Sequence, residues 1–279
     1  MLKLFLLFIF PAILIAGDVT LSLSHNDGSS SYTVQSNDTQ NLKSTLNFPF
    51  EFNTIGLEYK HDFRYLQIVL SYSSLLNYTT EIGKDYDWKN QDLTVFSKSE
   101  SKIEKYNNFN IAAYKSVYNN LDMFVGFGYS NMNIGWYNTY QTNYVSQTSK
   151  KLVGKTLQFN QEFYKYEFGL NYEEYITDNL LLNIQPSILY VYVNTKDEHT
   201  LRNFYTVQNI NTLGYKILLG LKYKLTDYSS IKILYNYEEI NENKTDMKYY
   251  NSSNVNYITL PSSYNYKENK INISYVYKF

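Results

Sequence analysis

Cysteine is absent from this 279-residue chain, so neither disulfides nor thiolate metal sites can contribute to its structure. A large net charge is absent too: the formal value is −1, whereas the surface of a nucleic-acid-binding protein would be strongly basic. We therefore expect no nucleic acid among the partners. Proline is scarce, with 4 copies, and beyond residue 17 no apolar run is long enough for a transmembrane helix.

The N-terminus has the pattern of a secretory signal peptide. A lysine precedes an apolar run from Leu4 to Ile15, and two small residues follow. A positive n-region, an apolar h-region and small residues before a polar segment are typical of such a signal. The run is too short to span a bilayer comfortably. We assign residues 1–17 to the signal peptide and residues 18–279 to the mature domain.

Aromatic residues are the most abundant feature of the rest, with 32 tyrosines and 16 phenylalanines. This usage favours many aromatic-rich strands. The sharpest example is Tyr164–Glu173, where aromatic or aliphatic residues alternate with Lys, Glu, Gly and Asn. A period of two gives a strand one apolar and one polar face. For an exported chain, such strands leave one way to span a membrane, a closed barrel.

The number and spacing of the strands predict the type of barrel. Ten strands can be counted, with short turns near residues 61, 119, 178 and 227 and long polar loops near 38, 90, 150, 200 and 250. Even strand numbers, short turns and long loops on opposite sides are typical of outer-membrane proteins. The predicted fold class is all-β: a ten-stranded antiparallel transmembrane β-barrel with long extracellular loops and short periplasmic turns.

Three local predictions accompany this fold. A barrel of this size is filled by side chains, and we expect inward-facing charges to fill it as a paired network: Lys165, Glu167, Glu173, Lys216, Lys222, Lys232 and Glu238. The apolar phase of the second strand slips by one residue, which predicts a β-bulge near Asn53 and Thr54. Loops are expected for the acidic segment Asp85–Trp88 and for Asn241–Asn265.

The C-terminal strand resembles the C-terminal signal of bacterial outer-membrane barrels, which typically ends in an aromatic residue, often phenylalanine. One face of this strand is apolar up to the last residue: Ile271, Ile273, Tyr275, Tyr277 and Phe279. Together with the signal peptide, this resemblance implies an outer-membrane location with both termini at the periplasmic end.

An acid and an imidazole lie two residues apart at the end of the seventh predicted strand. Side chains at i and i+2 share a face, so Asp197 and His199 point the same way. The parity of this strand places both on its more polar, inner face. An aspartate in this position fixes the tautomer of a general-base histidine. The pair is therefore the first candidate for catalysis.

Two further acids follow the third predicted strand. The same parity carries Asp85 and Asp87 to the interior, and the third and seventh strands stand roughly across a ten-stranded barrel. Both strand ends lie on the extracellular side, above the membrane band. Two carboxylates that share a site raise the pKa of one of them. With an imidazole on the facing wall, this arrangement suits the activation of a water molecule.

These residues bring a family resemblance. An Asp-x-Asp-Trp motif at Asp85–Trp88 and an Asp-Glu-His motif at Asp197–His199, in an exported ten-stranded barrel, resemble the omptin family of outer-membrane endoproteases. The resemblance implies that Asp197 is the charged partner that orients His199. His199 would be the base that takes a proton from the attacking water. Asp85 with Asp87 would hold that water, without an acyl-enzyme.

The resemblance also sets expectations for partners. It implies peptide or protein substrates, a monomer, and dependence on lipopolysaccharide held by basic residues of the outer wall, with no metal and no other cofactor. One feature departs from the family. Omptins use acidic pocket residues to favour cleavage beside arginine or lysine, but Thr195 stands two residues before Asp197, and Tyr32 lies near the other expected acid. The hydrolytic motifs are thus present without the acids that explain a basic preference.

Non-catalytic readings compete with this hypothesis. Asp197 and His199 could be solvated surface, and Asp85 with Asp87 an ordinary acidic loop or a calcium site with oxygen ligands. Trp88 is more typical of packing or of a membrane rim. The alternative function is a non-enzymatic barrel, acting as an adhesin or small channel. In a protease the four side chains must converge on a water-sized gap, with a reach of about 3 Å from the base.

Overall fold

The computed structural model of the chain describes residues 17–36, 41–251, 253 and 255–279. The expected signal peptide lies outside the described residues, except for Gly17. In the described part, no helix is long and apolar enough to cross a membrane. Its regular structure consists of eleven strands: β1 Asp18–Gln35, β2 Leu42–Asp62, β3 Gln67–Tyr78, β4 Glu81–Lys89, β5 Asp92–Tyr118, β6 Leu121–Asn143, β7 Thr148–Thr177, β8 Leu180–His199, β9 Phe204–Lys224, β10 Ser229–Asn251 and β11 Asn256–Lys278.

The strands close into an antiparallel ring. Each strand from β5 to β11 pairs with its sequence neighbours, and β1 pairs with both β11 and β2. The strands β3 and β4 follow one another in a single position between β2 and β5, so the ring has ten positions. The prediction of a ten-stranded antiparallel β-barrel is confirmed. Asp18 pairs with Lys278, which puts both termini at one end.

The apolar face of the wall changes sides along the barrel. On β8, Ile188 and Tyr190 are 60% and 51% exposed on the outside. Leu189, between them, and Val191 and Val193, further along the strand, are fully buried inside. We call the part nearer Asp18 and Lys278 the termini half and the other part the site half. Apolar side chains point outward where lipid surrounds a barrel and inward where water does. The termini half is therefore the membrane-spanning part.

A register shift is present near Asn53 and Thr54, where a β-bulge is predicted, but the strand β2 itself is regular. The inward set Phe48, Phe50, Phe52 and Thr54 continues without a break, and Ile55 points outward. The apolar residues change sides because the strand leaves the aqueous site half and enters the membrane, and the backbone phase is unchanged. The pairing of β2 with β3 does shift between Asn53 and Thr54, but the extra residue is Leu76 of β3.

The predicted long loops are a second correction, because most of their length is strand. Asp85–Trp88 belongs to β4, which pairs with β2 and β5, and most of Asn241–Asn265 belongs to β10 and β11. Residues 144–147 are enough to join β6 to β7, and residues 200–203 join β8 to β9. Pairing satisfies the backbone of these polar segments. The wall thereby extends well beyond the membrane-spanning half.

The two halves have different interiors. A buried apolar cluster fills the site half, and at its centre Phe48 of β2 stacks on Phe159 of β7 with ring centroids 4.2 Å apart. The termini half is polar and encloses a cavity of about 280 Å³. Lys216 and Glu167 form an ion pair of 2.8 Å there, and Lys165 pairs with Glu238. The predicted paired network is confirmed for these four residues. The other predicted members line a smaller neighbouring cavity: Glu173, Lys222 and Lys232.

Candidate functional site

The last residues of β8 place an aspartate and a histidine inside the site half. Asp197 is 1% exposed, and its Oδ2 atom lies 3.6 Å from Nε2 of His199. Both follow the inward parity of Val191, Val193 and Thr195, because β8 continues without a bulge to its end. The separation exceeds a hydrogen bond but allows one to form after a small movement.

A tyrosine from another strand binds the same carboxylate. The hydroxyl of Tyr32 on β1 donates a hydrogen bond to Oδ2 of Asp197. Tyr32 is 3% exposed, and its ring packs against both Phe48 and Phe159, at centroid distances of 5.9 and 5.8 Å. Since β1 and β8 are four positions apart in the ring, this contact crosses the interior of the barrel.

Burial controls the charge of Asp197. Removal from water is the largest effect and raises the pKa of this carboxyl to about 8. The hydrogen bond from Tyr32 acts in the opposite direction, whereas the charges of Asp85 and Glu198 raise the pKa further. Asp197 is therefore protonated in most of its population at pH 7 and becomes ionised as the pH rises through about 8.

His199 is held as a neutral imidazole. Its ring stacks on Phe204, its pairing partner at the start of β9, with centroids 4.2 Å apart. Burial, followed by the nearby positive charge of Arg202, lowers the pKa of His199 to about 3. A neutral imidazole is the form that can accept a proton.

The second pair of acids lies on β4. Asp85 and Asp87 pair with Leu46 and Ser44 of β2, and the hydroxyl of Ser44 donates to Oδ1 of Asp85 at 3.4 Å. Burial raises the pKa of both carboxyls, and for Asp85 the charge of Asp87 adds to this effect. This environment favours the protonated form of both carboxyls, and for Asp85 the charge of Asp87 adds to that preference.

The structure brings Tyr32, Asp197 and His199 into one cluster. Asp85 acts on this cluster through its charge, because it raises the pKa of both Asp197 and Tyr32. The strands β4 and β8 are four positions apart in the ring, so the acids and the imidazole stand on facing walls, as the sequence predicts.

Trp88 lies outside this arrangement. It alternates with Asp85 and Asp87 on β4 and stacks on Tyr86 at 5.6 Å, with the Lys43 ammonium 5.2 Å from its ring centre. These contacts fit a packing role on the outer face of the wall. Trp88 therefore lies on the opposite face of β4 from Asp85 and Asp87, the two acids of its motif.

The sequence motifs do not single out two residues near the site. Tyr32 lies near an acid that the omptin resemblance leads one to expect, and its even parity on β1 is the signal for an inward side chain. Arg202 lies in the turn after His199, whose carbonyl accepts a hydrogen bond of 3.0 Å from the Arg202 amide. The charge of Arg202 lowers the pKa of His199 and opposes the rise at Asp85 and Asp87.

The layer next to Asp197 is polar but uncharged. The Thr195 hydroxyl donates to Oε1 of Gln208 at 3.4 Å, and Nε2 of Gln208 donates to Ser262 at 2.8 Å. Gln161 accepts hydrogen bonds of 2.7 Å from Ser30 and from a neighbouring tyrosine. Among the described residues, no group of three histidine, aspartate or glutamate side chains could hold a metal ion.

The fold defines the class of protein as an outer-membrane β-barrel. Among solved structures, the chain is similar to the outer membrane protease OmpT from Escherichia coli, an omptin, with a TM-score of 0.83. The match covers 95% of this chain and 97% of that chain at 14% sequence identity, so it concerns the fold. No protein-family model and no curated protein matches the sequence.

Other solved barrels are less similar. The translocator domain of the autotransporter NalP from Neisseria meningitidis has a TM-score of 0.44 at 11% identity, covering 100% of this chain and 95% of that chain. The outer membrane protein OprG from Pseudomonas aeruginosa has a TM-score of 0.43 at 12% identity, covering 95% of this chain and 96% of that chain.

Proposed function

We propose that this chain is an outer-membrane endopeptidase whose site faces the cell exterior. The observation that carries the proposal is the buried Asp197 beside a neutral His199, with the acids of β4 on the facing wall. Burial of ionisable groups costs stability, and clusters of groups with strongly shifted pKa values are typical of functional sites. The similarity in fold to an outer membrane protease supports the same reading.

The proposed reaction uses water as the nucleophile. Asp85 and Asp87 hold a water molecule, and His199 takes its proton as the hydroxide attacks the scissile carbonyl carbon. Nε2 of His199 lies nearer to Asp197, so Nδ1 is the atom that accepts this proton. Asp197 stabilises the imidazolium that forms, and the imidazolium then protonates the leaving amine. No covalent acyl-enzyme forms in this scheme.

The membrane setting is part of the proposal. The termini half lies in the outer membrane and the site half stands in water outside the cell, where peptides and proteins are the substrates. The dependence on lipopolysaccharide and the monomeric state rest on the resemblance to omptins. They call for assays of the full chain in detergent with and without added lipopolysaccharide.

The interior supports a protease over the alternative barrels. Apolar side chains fill the site half, including Phe48, Phe159 and Trp136, each at most 3% exposed. A channel would need a continuous lumen. An adhesin would use long loops, whereas residues 144–147 and 200–203 are short connections.

A mixed peptide library tests the proposal. The purified full chain, in detergent with lipopolysaccharide, is expected to cleave peptides, and His199→Ala and Asp85→Asn are each expected to lower cleavage by about 10³-fold or more. His61→Ala and Asp227→Asn, at the opposite end of the barrel, are the matched controls and should cleave normally. Far-UV circular dichroism checks that every variant keeps its strands. Normal turnover by folded His199→Ala would exclude the proposed base.

A further inference from the structure

Tyr32 is fixed more firmly than its hydrogen bond alone requires. Its ring contacts Phe48 of β2 and Phe159 of β7, and these two rings stack on each other. Both phenylalanines are fully buried. The aromatic packing therefore determines where the phenol oxygen points. The hydroxyl donates a hydrogen bond to Oδ2 of Asp197.

The carboxylate of Asp197 has little other support. Its Oδ1 atom is buried without a hydrogen-bond partner among the described residues, and its Oδ2 atom receives the Tyr32 hydroxyl. His199 stands 3.6 Å from the same Oδ2 atom. A carboxylate can accept several hydrogen bonds, so the orientation of a fully buried one with a single donor depends on that donor.

We propose that Tyr32 is a positioning residue that holds Oδ2 of Asp197 toward His199 and favours the ionised carboxylate. The role in catalysis rests on the proposed endopeptidase function, whereas the effect on Asp197 does not. Tyr32 needs no contact with the substrate in this role. It acts through Asp197, which in turn acts through His199.

The other groups that face Asp197 cannot replace the phenol. Asp85 from the facing wall and Glu198 from the same strand are acids, and their charges disfavour a second negative charge. Thr206, its pairing partner on β9, is uncharged, and its buried hydroxyl has no hydrogen-bond partner among the described residues. Arg202 acts on His199 and on the acids of β4.

Removal of the Tyr32 hydroxyl should therefore raise the pKa of Asp197 above about 8, because the hydrogen bond is the one effect that lowers it. A hydrogen bond to a charged group is worth roughly one to two pH units. Tyr264→Phe is the matched control. Tyr264 is equally buried and donates to Gln161 at 2.7 Å, so this variant also loses a buried hydroxyl but not one that touches Asp197.

A histidine titration followed by nuclear magnetic resonance tests the proposal without relying on activity. The chain has 3 histidines, so His199 is assigned by comparison with His199→Ala. Its ring signals report the ionisation of Asp197 as a titration step that is lost in Asp197→Asn. In Tyr32→Phe this step should move up by about one pH unit or more, and in Tyr264→Phe it should stay in place. An unmoved step in Tyr32→Phe overturns the proposal.

Peptide cleavage provides the second readout. The acidic limb of kcat/KM in Tyr32→Phe should move by the same interval, with a loss in kcat and little change in KM. A loss that is uniform across pH would indicate a merely structural role and contradict the proposal. If wild-type protein cleaves no peptide while the titration step still moves, the endopeptidase function fails and the effect of Tyr32 on Asp197 stands. Tyr32→Met, which also lacks the hydroxyl, gives the same test if Tyr32→Phe does not fold.

Discussion

Nε2 of His199 lies 3.6 Å from Oδ2 of Asp197, just beyond hydrogen-bond distance, while the hydroxyl of Tyr32 donates a hydrogen bond to the same oxygen. Catalytic hydrogen bonds are often long in ligand-free enzymes and tighten as charge develops. The positive imidazolium that forms in the proposed reaction would draw Oδ2 closer. The pair is thus arranged to interact more strongly with the transition state than with the resting state.

The pH dependence of cleavage follows from the charge of Asp197. The carboxyl must be ionised to stabilise the imidazolium, and burial raises its pKa to about 8. The pKa of His199 is lowered to about 3, so His199 stays neutral between pH 5 and 10 and causes no change in kcat/KM over that range. We expect kcat/KM to rise with pH until about 8 and then to level off. Initial rates on one peptide between pH 5 and 10 measure this, and a flat profile below pH 7 would contradict the assignment.

The preference for substrate side chains should follow the uncharged layer beside Asp197. Thr195 is 3% exposed and binds Gln208, so a lysine or arginine of the substrate meets no dedicated carboxylate there. We expect the wild-type protein to cleave beside neutral residues more readily than beside basic ones. Thr195→Asp should raise kcat/KM for basic peptides by about 10- to 100-fold, the value of one charge-assisted hydrogen bond.

Thr195→Asn separates charge from shape in that experiment. Asparagine has nearly the volume of aspartate but no charge, so it should give no gain with lysine or arginine peptides. Competition between paired peptides that differ in one residue measures the preference directly. A wild-type protein that already prefers basic residues would show that other acids supply the pocket.

The sequence predicts the ring better than the details of its wall. Alternation, the signal-peptide pattern and the turns near residues 61, 119, 178 and 227 are enough to predict ten antiparallel strands. The apparent phase slip in β2 does not mark a bulge of this strand, because alternation shows which residues are apolar and not which solvent the wall faces. On one regular strand, Ile55 points outward to the lipid and Phe52 points inward to the apolar cluster of the site half. The segments Asp85–Trp88 and Asn241–Asn265, predicted as loops, are mostly strand because the wall extends beyond the membrane-spanning half.

The site shows a similar boundary between what a sequence can and cannot predict. Parity along single strands places Asp197 with His199 and Asp85 with Asp87. Contact between Tyr32 and Asp197 depends instead on how closely the β1 and β8 walls approach, which the aromatic packing of the interior decides. That packing involves residues more than a hundred positions apart in sequence, and a local pattern does not predict it.

The packing between the walls should carry much of the stability of the site half. Phe159 is fully buried and stacks on Phe48, so Phe159→Ala leaves a cavity between facing walls. We expect a loss of about 3–5 kcal/mol in the free energy of unfolding. Urea titration in lipid vesicles measures it. Phe63→Ala, at an exposed position in the turn after β2, should stay within about 0.5 kcal/mol of wild type.

The central claim is that facing walls act on one water molecule, and a double-mutant cycle between Asp85 and His199 tests it most directly. Residues that act as a unit lose their effect together, and a general base contributes roughly 10²- to 10⁴-fold. We expect Asp85→Asn and His199→Ala each to lower kcat/KM by about 10³-fold or more, and the double variant to lose no more than the worse single variant. Losses that multiply in the double variant, or a single variant that retains wild-type turnover, would contradict a shared water between β4 and β8.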